Sequence, residues 1–156
     1  MTEQQLKKLV TEVVTSLGDG MTLDLALNLT EKVKAKAKEM GVNAVIAVSN
    51  SAGNPVSVQC MDDSYIASYD VAFNKAYTVV ALKMPTTTLK ELAAPGGSLY
   101  GIQFTNGGKI VIFGGGVPLY NKSGKIIGGL GVSGGSEGQD TALAEFGGEV
   151  FKALIK

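Results

Sequence analysis

Apolar residues recur at helical spacing in five stretches of this chain and in strand-like runs in five more. Leu6, Leu9, Val10, Val13, Val14 and Leu17 fall at i, i+3, i+4, i+7, i+8 and i+11, with Lys7, Lys8, Glu12 and Thr15 off that stripe. Gly18-Asp19-Gly20 ends this first helix and makes a hinge. Thr22 then caps a second helix with Asp24 in its first turn. Leu23, Ala26, Leu27, Thr30, Val33, Ala37 and Met40 form its apolar face, and Gly41 stops it. Lys32, Lys34, Lys36 and Lys38 occupy the other side. With Glu31 and Glu39 flanking them and no aromatic between, they read as a solvated face.

Val42 to Ser49 and Pro55 to Met61 are predicted strands, joined as a hairpin by the turn at 50–54. Ser64 to Met84 is predicted helical, with Tyr65, Tyr69, Phe73, Ala76 or Tyr77, Val80 and Met84 at helical spacing and Pro85 ending the run. That aromatic stripe packs in the core or lines a flat cofactor. Leu89 to Ala93 is a short helix closed by Pro95-Gly96-Gly97. Strands follow at Ile110 to Phe113, Val117 to Tyr120 and Lys125 to Val132, with a hairpin turn at 121–124 and a last helix from Gln139 to Ile155. Hairpins without βαβ crossovers predict an α+β fold: an antiparallel sheet with helices to one side.

Residues 96–148 hold 17 of the 21 glycines. No G-x-x-x-x-G-K-[ST] loop is present. Gly129, Gly131 and Gly134 match a dinucleotide fingerprint in spacing, but no βαβ unit surrounds them. The glycines serve as tight turns, or they expose backbone N–H groups in a cleft suited to an anion such as a propionate.

Composition removes several chemistries. Among 156 residues there is no His and no Arg, and 14 Lys balance 14 Asp plus Glu. Histidine-based nucleophile systems, imidazole metal ligands and guanidinium clamps are therefore absent. Zero net charge without a basic cluster argues against a nucleic-acid partner. Cys60 is the single cysteine, so no intrachain disulfide forms, and a reducing, cytoplasmic compartment fits. No apolar run reaches the ~18 residues that would span a membrane, and the N-terminus lacks a signal-peptide h-region. Asp62-Asp63 is the one adjacent acidic pair, and neighbours on an extended segment point apart, so catalysis is not expected.

Four blocks in order carry a family resemblance. They are Val45-Ile46-Ala47-Val48 with Ser51-Ala52-Gly53; Cys60-Met61-Asp62 with Ser68 and Ala72-Phe73-Asn74-Lys75-Ala76; Gly115-Gly116-Val117-Pro118 with Gly124; and Ile127-Gly128-Gly129-Leu130-Gly131-Val132-Ser133-Gly134 with Asp140. From about Thr22 to Phe151 the chain resembles the GlcG/HbpS-like haem-binding family, which includes the C-terminal domain of PduO-type proteins. The resemblance implies a profilin-like α+β fold with a five-stranded antiparallel sheet and packed helices. It implies homo-oligomers, often octamers, and haem or another tetrapyrrole in some members. The site residues it implies are Asp62, Lys75, Gly115, Gly116, Pro118, Ser133 and Gly134, with Asp62 and Lys75 alternatively an ion pair.

The chain departs from the family pattern where Cys60 stands at the family's Arg, Asp63 at its Gly and Asn50 at its Asp. Without His, an iron would meet Tyr, Met, Cys60 or Lys. A propionate would meet Lys75 or a backbone nest, and the cofactor is left unassigned. The N-terminal stripe resembles the encapsulation peptides of bacterial microcompartment cargo. It docks on its own domain, on a sister subunit, or on a shell-protein groove through Leu6, Leu9, Val10, Val13, Val14 and Leu17. The division expected is 1–20, helix and hinge, then 21–156, the domain. The function expected is a non-enzymatic oligomeric accessory protein of a propanediol- or ethanolamine-type microcompartment. The alternative is a haem or corrinoid binder for storage or sensing.

Overall fold

The computed structural model describes residues 1–13 and 20–155, with the backbone alone at 14–18. Five helices and four strands follow in the order α1 (Glu3–Gly18), α2 (Leu23–Glu39), β1 (Val45–Asn50), β2 (Pro55–Cys60), α3 (Ile66–Ala81), α4 (Thr86–Ala93), β3 (Gly116–Tyr120), β4 (Ile126–Ser133) and α5 (Glu137–Leu154). The sheet is antiparallel throughout, in the order β2-β1-β4-β3. The protein is α+β.

Local chemistry explains the boundaries. Thr22 accepts the Leu25 amide at the start of α2, and Gly41 follows its end at φ 69°. Ser136 and Gln139 form a reciprocal capping box, so α5 begins two residues before the periodicity predicts. Lys83 at φ 56° stops α3 short of Pro85.

The fifth strand expected at Ile110–Phe113 is not formed. Its backbone donors go to side chains instead of a neighbouring strand. Val111 N donates to Thr78 Oγ1 at 3.0 Å, and Gly114 N donates to Glu137 Oε1 at 3.0 Å. Helices also cover both faces of the sheet, not one. Ile46, Val48, Leu130 and Val132 point at α2 and α5, where Leu29, Val33, Leu143 and Phe151 complete the large core. Val45 and Ala47 point the other way, at Ala72 and Ala76 of α3. β1 is therefore buried on both sides and shows no alternation.

The second face works by small residues. Gly129 and Gly131 stand two apart in β4, beside Ser49 and Ala47 in register. A methyl group on Gly131 would meet Ala72 O at 2.0 Å, and one on Gly129 would meet Ala76 O at 2.3 Å. The strand's fingerprint-like glycines thus let the α3 backbone lie on the sheet, and Ser49 Oγ seals the contact by donating to Ala76 O at 2.9 Å.

That close approach leaves the inner face of α3 to small and slender side chains. Ser68, Ala72, Lys75, Ala76, Thr78 and Val79 form the buried face of α3, while Tyr65 and Tyr69 are exposed. The core reading of the stripe fails for Tyr65 and Tyr69, while Ala76 is buried and Phe73, Tyr77 and Val80 are partly buried. On α2, Leu29 takes the core position expected of Leu23 and Leu27, which are exposed.

Gly131→Ala should cost about 1–3 kcal/mol or more, because backbone rather than a flexible side chain would have to move. Gly148→Ala, in α5 with only ordinary contact to Val117, should stabilise by about 0.5–1 kcal/mol. Urea unfolding of the two variants beside the wild type measures both.

Candidate ligand site

Lys75 leaves the inner face of α3 and passes between two glycine positions. Methyl groups on Gly131 and Gly116 would meet its Cβ at 2.9 and 3.3 Å, and one on Gly115 would meet its Nζ at 2.6 Å. Gly115 also requires its positive φ of 117°. The ammonium is fully buried. It donates to Val132 O at 2.8 Å and to Asp140 Oδ2 at 3.3 Å, and lies 4.9 Å from the centre of the Phe113 ring.

Asp140 sits in the first turn of α5, where the helix dipole favours a carboxylate. Its Oδ1 accepts the Gly135 amide at 2.8 Å. Burial lowers the pKa of Lys75, and the charge of Asp140 works against that. Burial raises the pKa of Asp140, and the Gly135 amide and the Lys75 charge pull it back.

Above this pair lies a hollow of about 260 Å³, walled by Phe113, Tyr65, Val71, Ser133 and Gly134, with Asp140 lining it. Ser133 Oγ donates to Ser68 Oγ at 3.0 Å in its wall. The irregular path at 110–114 brings Phe113 here. Glu137 holds that path by accepting Gly114 N while pairing with Lys90 at 2.7 Å. The Lys90 hydrogen bond, then the Gly114 amide, hold the Glu137 carboxyl below the usual carboxylate range. Among the described residues, no group of three or more Asp, Glu, Cys or His side chains could hold a metal ion.

Of the residues singled out from the sequence, Lys75, Gly115, Gly116, Ser133 and Gly134 come together here. Asp62 and Pro118 do not. Asp62 is exposed in the turn after β2, and Pro118 in edge strand β3 borders a different hollow against α5 with Tyr120 and Gly148. The ion pair expected between Lys75 and Asp62 is formed with Asp140 instead, because Lys75 points through the sheet-facing side of α3 toward the start of α5. Phe113, Tyr65 and Ser68 were not read as one site. Asp140 carried a signal, as the last residue of the fourth block. In the N-terminal stripe Leu6, Leu9, Val10 and Val13 lie on an exposed face, and the side chains of Val14 and Leu17 lie outside the described residues.

The α+β body is similar to proteins already described. A family model described as "Haem degrading protein HbpS-like" matches residues 21–149, and the chain belongs to that HbpS-like family. An uncharacterized 15.0 kDa protein from the dhaT-dhaS intergenic region of Citrobacter freundii is 44% identical over 134 residues, 86% of this chain and 94% of that protein. Corrinoid adenosyltransferase PduO of the same organism is 39% identical over 117 residues, 75% of this chain but 35% of PduO. A crystal structure of a PduOC–haem complex superposes with a TM-score of 0.79 at 34% identity, covering 83% of this chain and 94% of that one.

Lys75→Met leaves the buried Asp140 without its cation and should cost about 3–5 kcal/mol, whereas Lys75→Met with Asp140→Asn should recover most of that. The pH dependence has a definite sign. Between the lowered native pKa of Lys75 and 10.5, the unfolded chain holds a proton that the native chain has lost. Stability of the wild type relative to Lys75→Met therefore rises with pH in that window. Urea unfolding from neutral to alkaline pH measures it.

Proposed function

We propose that this chain is a non-enzymatic, homo-oligomeric accessory subunit of a bacterial microcompartment, and that the hollow at Phe113 and Tyr65 binds a flat tetrapyrrole of the haem or corrinoid class. One observation carries the reading. The buried ions beneath the hollow, Lys75 and Asp140, are paired with each other, so the ligand is offered aromatic faces, hydroxyls and backbone rather than a free acid or base. Kinship with PduO and with the haem-bound PduOC structure supports the ligand class and the setting.

The residues fit such a group. Phe113, 40% exposed, offers a ring face, and Val71 an apolar wall. Tyr65 at the rim would offer a phenol oxygen to the iron of a bound haem. Met61 is turned away, its sulfur accepting the Ala44 amide at 3.3 Å. Haem would bring redox-active iron to the hollow; the protein's part is to hold the ring, orient it and limit access by water.

Oligomerisation follows from what surrounds the hollow. About 260 Å³ is less than the ~300–1,000 Å³ that encloses a ligand. Beside it Ile66 is 98% exposed and Tyr69 47%. A second copy would cover both the ligand and this apolar face. We read the body, 21–156, as a profilin-like scaffold with four strands rather than five. Residues 1–20 form the arm, whose exposed Leu6, Leu9 and Val10 suit a shell-protein groove.

Haemin titration tests the ligand: a saturable Soret band is expected, weakened about tenfold by Phe113→Ala, the worth of one aromatic contact. An unsaturable, featureless spectrum rejects the reading. Removing residues 1–20 should release the protein from co-purified shells and leave the number of subunits read by light scattering unchanged. Retention on shells after that deletion refutes the targeting role, and a monomer at micromolar concentration refutes the assembly.

A further inference from the structure

The outer face of α3 has a pattern of its own. The positions opposite its buried row are Ile66, Asp70, Phe73, Tyr77 and Ala81, at i, i+4, i+7, i+11 and i+15, one stripe along the whole helix. Ile66 is 98% exposed, Asp70 and Ala81 are exposed, and Phe73 and Tyr77 are partly buried. The two rings are held in place. Phe73 stacks on Tyr69 with ring centroids 6.2 Å apart, and Tyr77 donates its hydroxyl to Asn106 Oδ1 at 3.4 Å.

Charge is placed on this stripe in a particular way. Asp70 lies four residues after its first position, and Tyr77 four residues before its last. Lys109 sets its ammonium 5.4 Å from the centre of the Tyr77 ring, so that end of the stripe carries a cation. Both Asp70 and Lys109 are exposed, and neither forms an ion pair among the described residues. The stripe is therefore complementary to itself when turned end for end about the point between Phe73 and Asn74. Ile66 then meets Ala81, and Asp70 meets Tyr77 with its cation.

We propose that this stripe is the contact between two copies of the chain, with α3 packed antiparallel on α3 of the second copy about a two-fold axis at Phe73 and Asn74. This rests on the homo-oligomeric reading above and names its surface. A two-fold contact forms every pair twice, so each Asp70 meets Lys109 of the other copy. It sets the protruding Ile66 on the small Ala81, which lets the helices approach, and it opposes the two helix dipoles. Parallel packing would instead set Asp70 against Asp70 and Lys109 against Lys109. An unrelated partner would need its own anion and cation at this spacing, whereas a second copy supplies both by symmetry. The loop that carries Asn106 lies at the Tyr77 end, with Tyr100 68% and Phe104 84% exposed. The two-fold turns that loop toward the first turn of α3 in the other copy, adding apolar area toward the ~800 Å² per partner of a stable contact.

The experiment uses the full chain with no ligand added. Asp70→Lys and Lys109→Glu each turn the contact into like charges, and light scattering at micromolar concentration should read a mass reduced by half or more. Asp70→Lys with Lys109→Glu restores opposite charges and should restore the wild-type mass. Both positions are exposed, so circular dichroism should show the same fold in all three variants. A charge-neutral measurement fixes the orientation. Asn74→Cys in a Cys60→Ser chain puts one thiol per copy at the two-fold axis, because Cys60 is the single native thiol. Mild oxidation should link its copies about tenfold faster than those of Lys32→Cys, on exposed α2, in the same background. A wild-type oligomer whose mass both single reversals leave unchanged overturns this contact and leaves the homo-oligomeric reading standing. So does a double reversal that stays dissociated, or Asn74→Cys linkage no faster than Lys32→Cys linkage. A monomeric wild type overturns both.

Discussion

A lysine ammonium buried between a helix and a sheet constrains most of this molecule. Lys75 can be charged there only if acceptors meet it inside, and they come from two elements distant in sequence: Val132 O of β4 and Asp140 of α5. Its aliphatic stem needs space, which Gly131 and Gly116 provide. The start of α5, the glycine bend before β3 and the inner face of α3 are thereby tied to one atom. Such a pair does little for net stability, since desolvation offsets its attraction, but it penalises any arrangement that separates the partners.

The same close packing accounts for the surface that remains. With α3 lowered onto glycines, its inner face takes small and slender side chains, and Tyr65 and Tyr69 at its start are presented to solvent. The unpaired path at 110–114, latched by Thr78 and Glu137, delivers Phe113 over the buried ammonium. A hollow results whose floor is a paired ammonium and carboxylate.

Much of this was legible in the residues. Thr22, Gly41 and Pro85 marked ends that the structure keeps to within a few positions, and the two hairpins follow from their turn residues. The fold brings Lys75, Gly115, Gly116, Ser133 and Gly134 near one another. What was illegible depended on partners far along the chain. Ile110–Phe113 reads as a strand by composition, yet Val111 N is claimed by Thr78, 33 residues away, and the N–H of the following Gly114 by Glu137, 23 residues away. The aromatic periodicity of α3 reads as core because helical spacing identifies a stripe without saying which side of the helix a glycine strand will accept. Asp62 was the wrong partner for Lys75 because nearness in sequence says nothing about what a side chain meets across a sheet.

Local chemistry therefore determined the element types, the α+β class and the chemistries ruled out by missing His and Arg, since these depend on neighbours within a few residues or on composition alone. The tertiary structure decided the strand count, the covering of both sheet faces, the partner of Lys75 and the position of Phe113. Each of those turns on a contact between distant segments, and the small side chains that permit the contact look like ordinary turn glycines until the helix above them is in place.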